Sequence, residues 1–143
     1  MYRNGRLIDP FFDEDELLYN RCLSEHVYRE QLLPTGIRFP DWSVNRAKYS
    51  EPEDVLVPNF QDWGIAQFEV RNIPKSLISP APGNVKFDFK VEHDPLNDNY
   101  SHSEVRTYKN GHHSKNLNVS TTVKKEFRQM LSEKTVLILT PQK

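Results

Sequence analysis

Eight consecutive residues, Val85-Lys86-Phe87-Asp88-Phe89-Lys90-Val91-Glu92, alternate between apolar and charged without a fault. Successive side chains of a strand point to opposite faces, so this run requires a sheet with one buried and one solvated face. Antiparallel sheets are the arrangement that leaves a face wet. The segment Ser103 to Lys109 is a second strand candidate. It ends at Asn110-Gly111, a pair suited to a tight turn in which both central residues need positive φ. Ala66, Phe68 and Val70 alternate with Gln67 and Glu69 and predict a third strand. The apolar segment Leu17 to Leu23 has no clear period and reads as a strand. Thr135 to Thr140 is β-branched and apolar on both faces, which predicts a strand in the sheet interior, closed by Pro141.

Helical signals are fewer. Val123, Phe127, Met130 and Leu131 recur at helical spacing, with Thr121 or Thr122 available as cap. Ser50-Glu51-Pro52-Glu53 matches a capping box and predicts a short helix over 51–56. Asp13 is placed to cap a turn starting at Glu14. Elsewhere Pro34, Gly36, Pro40, Pro52 and Pro58 interrupt any long element. Residues 79–84, Ser-Pro-Ala-Pro-Gly-Asn, read as a loop within one domain. The expectation is an α+β fold. It is a single compact domain over 1–143, with a flexible lead-in at 1–10. Its sheet is mixed but mainly antiparallel, with about four to six strands and about two or three short helices.

A chain of 143 residues fits one domain and needs no disulfide or structural metal to fold. Nineteen basic residues face twenty acidic ones, for a net charge of -1. That balance argues against binding nucleic acid through bulk charge. The single cysteine, Cys22, can form neither an internal disulfide nor a multi-thiolate zinc site, and its apolar neighbours suit a buried small hydrophobe. No apolar run approaches the ~20 residues needed to cross a bilayer, and none near the start has signal-peptide length. A cytoplasmic protein without membrane attachment is expected.

Polar chemistry concentrates between His93 and Arg106. This stretch joins two predicted strands, a place where functional groups are usually displayed. His93 and His102 are candidates for acid and base, Asn99 for orienting a ligand, and Glu104 for a further catalytic carboxylate. Asp94, Asp98 and Arg106 are candidate ligand-binding residues, the arginine because its planar fork suits phosphate. His93, His102 and Glu104 also form a two-His-one-carboxylate set, the weaker metal-binding reading. The competing reading is structural: Asp94-Pro95 and Asn97-Asp98-Asn99 are turn-formers that cap their own backbone. A second polar group, at 39–50, adds Ser43, Asn45 and Arg46 as ligand-binding candidates. Its bland alternative is a turn and exposed segment anchored by Trp42 and Tyr49. His112-His113 at the hairpin tip, and Lys124, Lys125 and Arg128 on the last helix, read as solvated.

Leu18-Tyr19-Asn20-Arg21, Ser43-Val44 and above all Asp94-Pro95-Leu96-Asn97-Asp98-Asn99-Tyr100-Ser101-His102 resemble a family of short, uncharacterised bacterial proteins. These carry a D-P-L-x-D-N-x-x-H segment after a strand. The resemblance spans residues 16–106 and brings no activity with it. It implies that Asp94, Asn99, His102 and Ser43 are the positions to test first. Tyr100 departs from the pattern, which has small residues between Asn and His. Two functions are expected from the residue density of 93–106, the near-zero charge and the aromatic content. The first is an interaction or accessory protein working with a larger partner. The alternative is a small enzyme or binding domain for a phosphate-bearing ligand, nucleotide or RNA, using His93, His102 and Arg106. No cofactor is identified by the sequence.

Overall fold

The computed structural model describes every residue except 1, 4, 58, 81, 82 and 143. Pro58, the start of the expected lead-in and the centre of the expected 79–84 loop therefore include residues outside the described ones. The main sheet contains β1 (Leu17–Cys22), β2 (Asp41–Arg46), β3 (Gly64–Glu69), β4 (Ser76–Ser79), β5 (Val85–His93), β6 (His102–Lys109) and β7 (Val136–Leu139). Their order across the sheet is β7-β3-β1-β2-β6-β5-β4, with every neighbouring pair antiparallel. Two-residue ladders at Tyr2–Arg3/Arg6–Leu7 and Val27–Tyr28/Gln31–Leu32 lie outside it.

The expected α+β fold with a mixed sheet and two or three helices is corrected. The sheet has seven strands, all antiparallel, and the molecule is closer to all-β. Among the described residues there is one α-helix, α1 (Thr121–Ser132). The predicted helix at 51–56 closes instead as a 3₁₀ turn, Pro52–Val55, with Glu51 and Asp54 forming its capping box. Proline starts that turn, and the next stretch lacks an apolar stripe to carry a longer helix. Around Glu14 there is only a turn. Strand β2 hides its apolar row behind Asn45 and Arg46, and β4 is bounded by serines, so neither announces itself.

Helix α1 buries Val123, Phe127 and Leu131, one turn apart, and leaves Met130 45% exposed. Its cap is Ser120, whose Oγ accepts from the Val123 amide at 3.3 Å, so neither Thr121 nor Thr122 takes that role. The helix covers one face of the sheet. Phe127 packs against Phe89 at 4.6 Å and Phe39 at 5.1 Å between ring centres. Leu18, Trp42, Val44, Ala66, Phe68, Phe87 and Val105 complete this core. A smaller cluster on the opposite face joins Tyr19, Val55 and Ile65 to Ile138 and Leu139.

That second cluster explains a further correction. The Thr135–Thr140 run was expected in the sheet interior, yet β7 is an edge strand paired only with β3. It is apolar on both faces because Leu137 meets the main core while Ile138 and Leu139 meet the smaller one. Among the described residues, no helix is long and apolar enough to cross a membrane. The expected lead-in is tied down from Arg6 onward. Arg6 donates to the Leu96 and Asn97 carbonyls, the Tyr100 hydroxyl donates to Leu7, and the Asp9 amide donates to His93.

Candidate functional site

The smaller cluster covers only the β1, β3 and β7 end of its face. Over β2, β6 and β5 the same face carries polar groups, in rows fixed by register. Asp41 lies opposite Arg106, Ser43 opposite Glu104, and Asn45 opposite His102, with Glu92 beyond Glu104. The segments 39–50 and 93–106, separate in sequence, are thus adjacent strands and their connection. Behind them Asn99 Nδ2 donates to Asn45 Oδ1 at 2.7 Å, and Ser101 Oγ donates to Asn99 Oδ1 at 2.7 Å. Asn45 is 1% exposed, so this amide pair fixes the loop on β2. Asn99 and Asn45 serve each other before any ligand.

His102 has the most informative surroundings. Its Nδ1 lies 2.7 Å from the Asp94 carbonyl oxygen, which can only accept. The neutral ring therefore carries its proton on Nδ1, and Nε2 presents a lone pair. Ser43 Oγ lies 2.9 Å from that nitrogen, so the hydroxyl donates to it. Ser43 is exposed, whereas His102 is 8% exposed. A protected imidazole thus stands behind an accessible hydroxyl, with a third group fixing the ring. Such an arrangement activates a serine. Glu104 Oε2 lies 3.9 Å from Nε2, and Asp94 Oδ2 lies 3.9 Å from Nδ1. Burial pushes the Glu104 carboxyl above its ordinary range, and the charges of Asp41 and Asp94 add to the rise.

Other candidates are committed elsewhere. His93 accepts from the Asp9 amide at Nδ1, 2.9 Å, and its Nε2 donates to the Tyr100 carbonyl at 2.7 Å. Both nitrogens are occupied by backbone. By register His93 faces the side of Ser103, away from His102, so the two rings do not form an acid–base pair across one site. Burial holds its pKa below the ordinary histidine value. Among the described residues no group of three His, Cys, Asp or Glu is placed to hold a metal ion, and His93, His102 and Glu104 are not assembled into one.

The arginines expected to bind phosphate are also engaged. Arg46 is 0% exposed and its guanidinium bonds Glu16 at 2.6 and 2.9 Å, the Asp9 carbonyl at 2.7 Å and the Phe11 carbonyl at 2.6 Å. Arg106 bonds Glu92 at 2.7 Å and lies 3.4 Å from both Asp94 and Asp41. Three carboxylates already neutralise it. Asp94 also pairs with Arg3 at 3.2 Å. His113, expected to be solvated, lies 3.1 Å from Asp41 through Nε2, and its Nδ1 donates to the Thr107 carbonyl.

Two arginines that make no ion pair among the described residues, Arg21 and Arg38, lie on the other side of Ser43. Strands β1 and β2 pair only at Leu18/Arg46 and Tyr19/Asn45, then separate. The parting opens a crevice of about 330 Å³ lined by Asn20, Arg21, Arg38, Trp42, Ser43 and Trp63 among others. Arg38 is exposed, and neither Arg21 nor Arg38 makes an ion pair among the described residues. Arg21 packs its guanidinium 3.9 Å from the Phe60 ring centre and donates to the Val55 carbonyl. Burial lowers its pKa, and Asp98 opposes that shift. Asp98 and Asn99 line a smaller hollow of about 170 Å³ on the far side of Arg21.

Asn20 Oδ1 and Trp42 Nε1 are buried without a hydrogen-bond partner among the described residues. Both residues line the crevice, and Asn20 and Trp42 are 6% and 2% exposed. Buried polar atoms are almost always satisfied by a protein group or an ordered water. Sequence reasoning missed Asn20, Arg38 and the Trp42 indole as site groups. Only the resemblance touched Asn20 and Arg21, and Arg38 sits among prolines and glycine with no periodic signal.

Comparison of the chain with family models, curated proteins and solved structures returns no match.

Proposed function

We propose that this chain binds a small phosphate-bearing ligand in the crevice between β1 and β2, at the exposed edge of Ser43. The observation that carries the reading is the crevice itself, walled by aromatic rings and lined by Arg21 and Arg38, which make no ion pair among the described residues. The crevice volume lies at the small end of the range for ligand pockets. Arginine supplies bidentate charge to phosphate, and the Trp42, Trp63 and Phe60 walls supply apolar contact. A mononucleotide-sized molecule combines these chemistries. Arg46 and Arg106, spent on carboxylates, take no part.

The expected accessory protein for a larger partner rests on the near-zero charge, the aromatic content and the absence of a recognised catalytic motif. The crevice gives the ligand reading a geometric argument. We place the protein in the cytoplasm because its single cysteine, Cys22, allows no internal disulfide, the usage typical of a reducing compartment.

Both tryptophans of the chain line the crevice, so intrinsic fluorescence reads the site directly. Titration with a nucleoside monophosphate is expected to change that fluorescence to saturation. Arg38→Ala is expected to weaken the affinity about tenfold, about 1.4 kcal/mol. An unchanged signal up to ~10 mM ligand, a concentration that would still register Kd values near 1 mM, overturns the reading.

A further inference from the structure

We propose that Ser43 is a nucleophile, activated by His102, that cleaves a carboxylic ester whose anionic group is held by Arg21 and Arg38. The inference rests on the crevice reading for its substrate and on separate geometry for its chemistry. That geometry has three parts. The Asp94 carbonyl fixes the ring and its Nδ1 proton at 2.7 Å. Nε2 faces Ser43 Oγ at 2.9 Å. The serine is open to solvent and lines the crevice that carries the arginines.

In the first step Ser43 Oγ forms a bond to the ester carbonyl carbon, and its proton passes to His102 Nε2. The carbonyl π electrons move to oxygen. When they return, the bond to the alcohol oxygen breaks and the proton on Nε2 goes to that oxygen. The acyl group is left on Ser43. In the second step water attacks the acyl carbon, gives its proton to Nε2, and Ser43 recovers a proton from the ring as the carboxylic acid leaves. Nothing is oxidised or reduced, and water is the only co-reactant. Glu104, 3.9 Å from Nε2, stabilises the imidazolium that forms in both steps. An ester fits better than an amide because its alcohol leaves with little help from an acid.

A fluorophosphonate probe tests the nucleophile. Ser43 Oγ bonds to phosphorus, fluoride departs, and intact-mass analysis is expected to show one adduct, mapped to Ser43. Ser43→Ala should give none, and His102→Ala should label at least about 100-fold more slowly, the usual contribution of a general base. Circular dichroism of each variant checks folding, and Ser43 is exposed, so its alanine variant retains the scaffold. No adduct on folded wild type, an adduct on another residue, or equal labelling of His102→Ala overturns the proposal. Substrate class is tested with 4-nitrophenyl succinate, which is anionic, against neutral 4-nitrophenyl acetate. The succinate should be cleaved faster, with the advantage lost in Arg38→Ala. Nucleotide binding without labelling removes the nucleophile and leaves the crevice reading standing. Labelling with equal cleavage of both esters and no nucleotide binding removes the anion site.

Discussion

Arg46→Ala is expected to destabilise the protein by about 3–5 kcal/mol, the cost of leaving a buried ionic partner uncompensated. The guanidinium is inaccessible, and Glu16, which binds it through both carboxylate oxygens, has a side chain only 7% exposed. Removing the arginine strands that carboxylate and two carbonyls, at Asp9 and Phe11, that accept from it. It also removes a cation stacked 3.8 Å from the Phe12 ring centre. These contacts hold the strand-free stretch 9–16 against β2, so their loss is not local. Asp9 belongs to the same network. The Tyr49 hydroxyl chiefly, with the Phe11 amide, Lys48 and Arg46, holds its carboxyl below the usual aspartate range. A depressed carboxyl stabilises the fold above its unfolded value, near 3.9, and that contribution is lost as pH falls towards the folded value. Urea unfolding at pH 7 and at pH 3 measures both effects. A change below ~1 kcal/mol for Arg46→Ala at pH 7 would mean the network is dispensable.

Phe127→Ala is expected to cost a similar amount, about 3–5 kcal/mol, for a different reason. Phe127 is 1% exposed and stands at the centre of α1, in contact with Phe39 and Phe89. With Val123 and Leu131 it ties the helix into the core under the sheet face that the β5 alternation buries. Deletion leaves a cavity lined by two rings that cannot collapse without moving β5. The loss should appear in the unfolding midpoint with an unchanged slope, since the native surface is hardly altered. A loss under ~1 kcal/mol would mean that α1 is loosely docked and that the sheet holds the fold alone.

The sequence made the central strands legible where pattern and physics coincide. Strict alternation at Val85–Glu92 has one physical outcome, and β5 follows it through to His93. Asn110 and Gly111 take φ of 52° and 78°, as a tight turn of this kind needs. The helix was legible because one stripe of apolar residues must be buried. Strand β2 was not, because Arg46 occupies a core-facing position and disguises the apolar row of Trp42 and Val44. Its burial depends on Glu16, thirty residues away, a pairing no local pattern records. The same limit applies at the site. Ser43, Asp94, Asn99 and His102 stood out by residue type, and the fold places Ser43 and Asp94 on opposite sides of the His102 ring. Which arginines remained free could not be read, because that depends on where carboxylates lie in three dimensions. Arg46 and Arg106 are consumed by carboxylates, while Arg21 and Arg38 make no ion pair among the described residues.

The activation of Ser43 turns on which ring nitrogen of His102 holds the proton. Long-range nitrogen–proton correlation spectra of ¹⁵N-histidine-labelled protein distinguish the two tautomers at neutral charge. The geometry predicts a protonated Nδ1 on the Asp94 carbonyl and a bare Nε2 whose shift moves in Ser43→Ala. A ring protonated at Nε2, with no response to loss of the Ser43 hydroxyl, would contradict it.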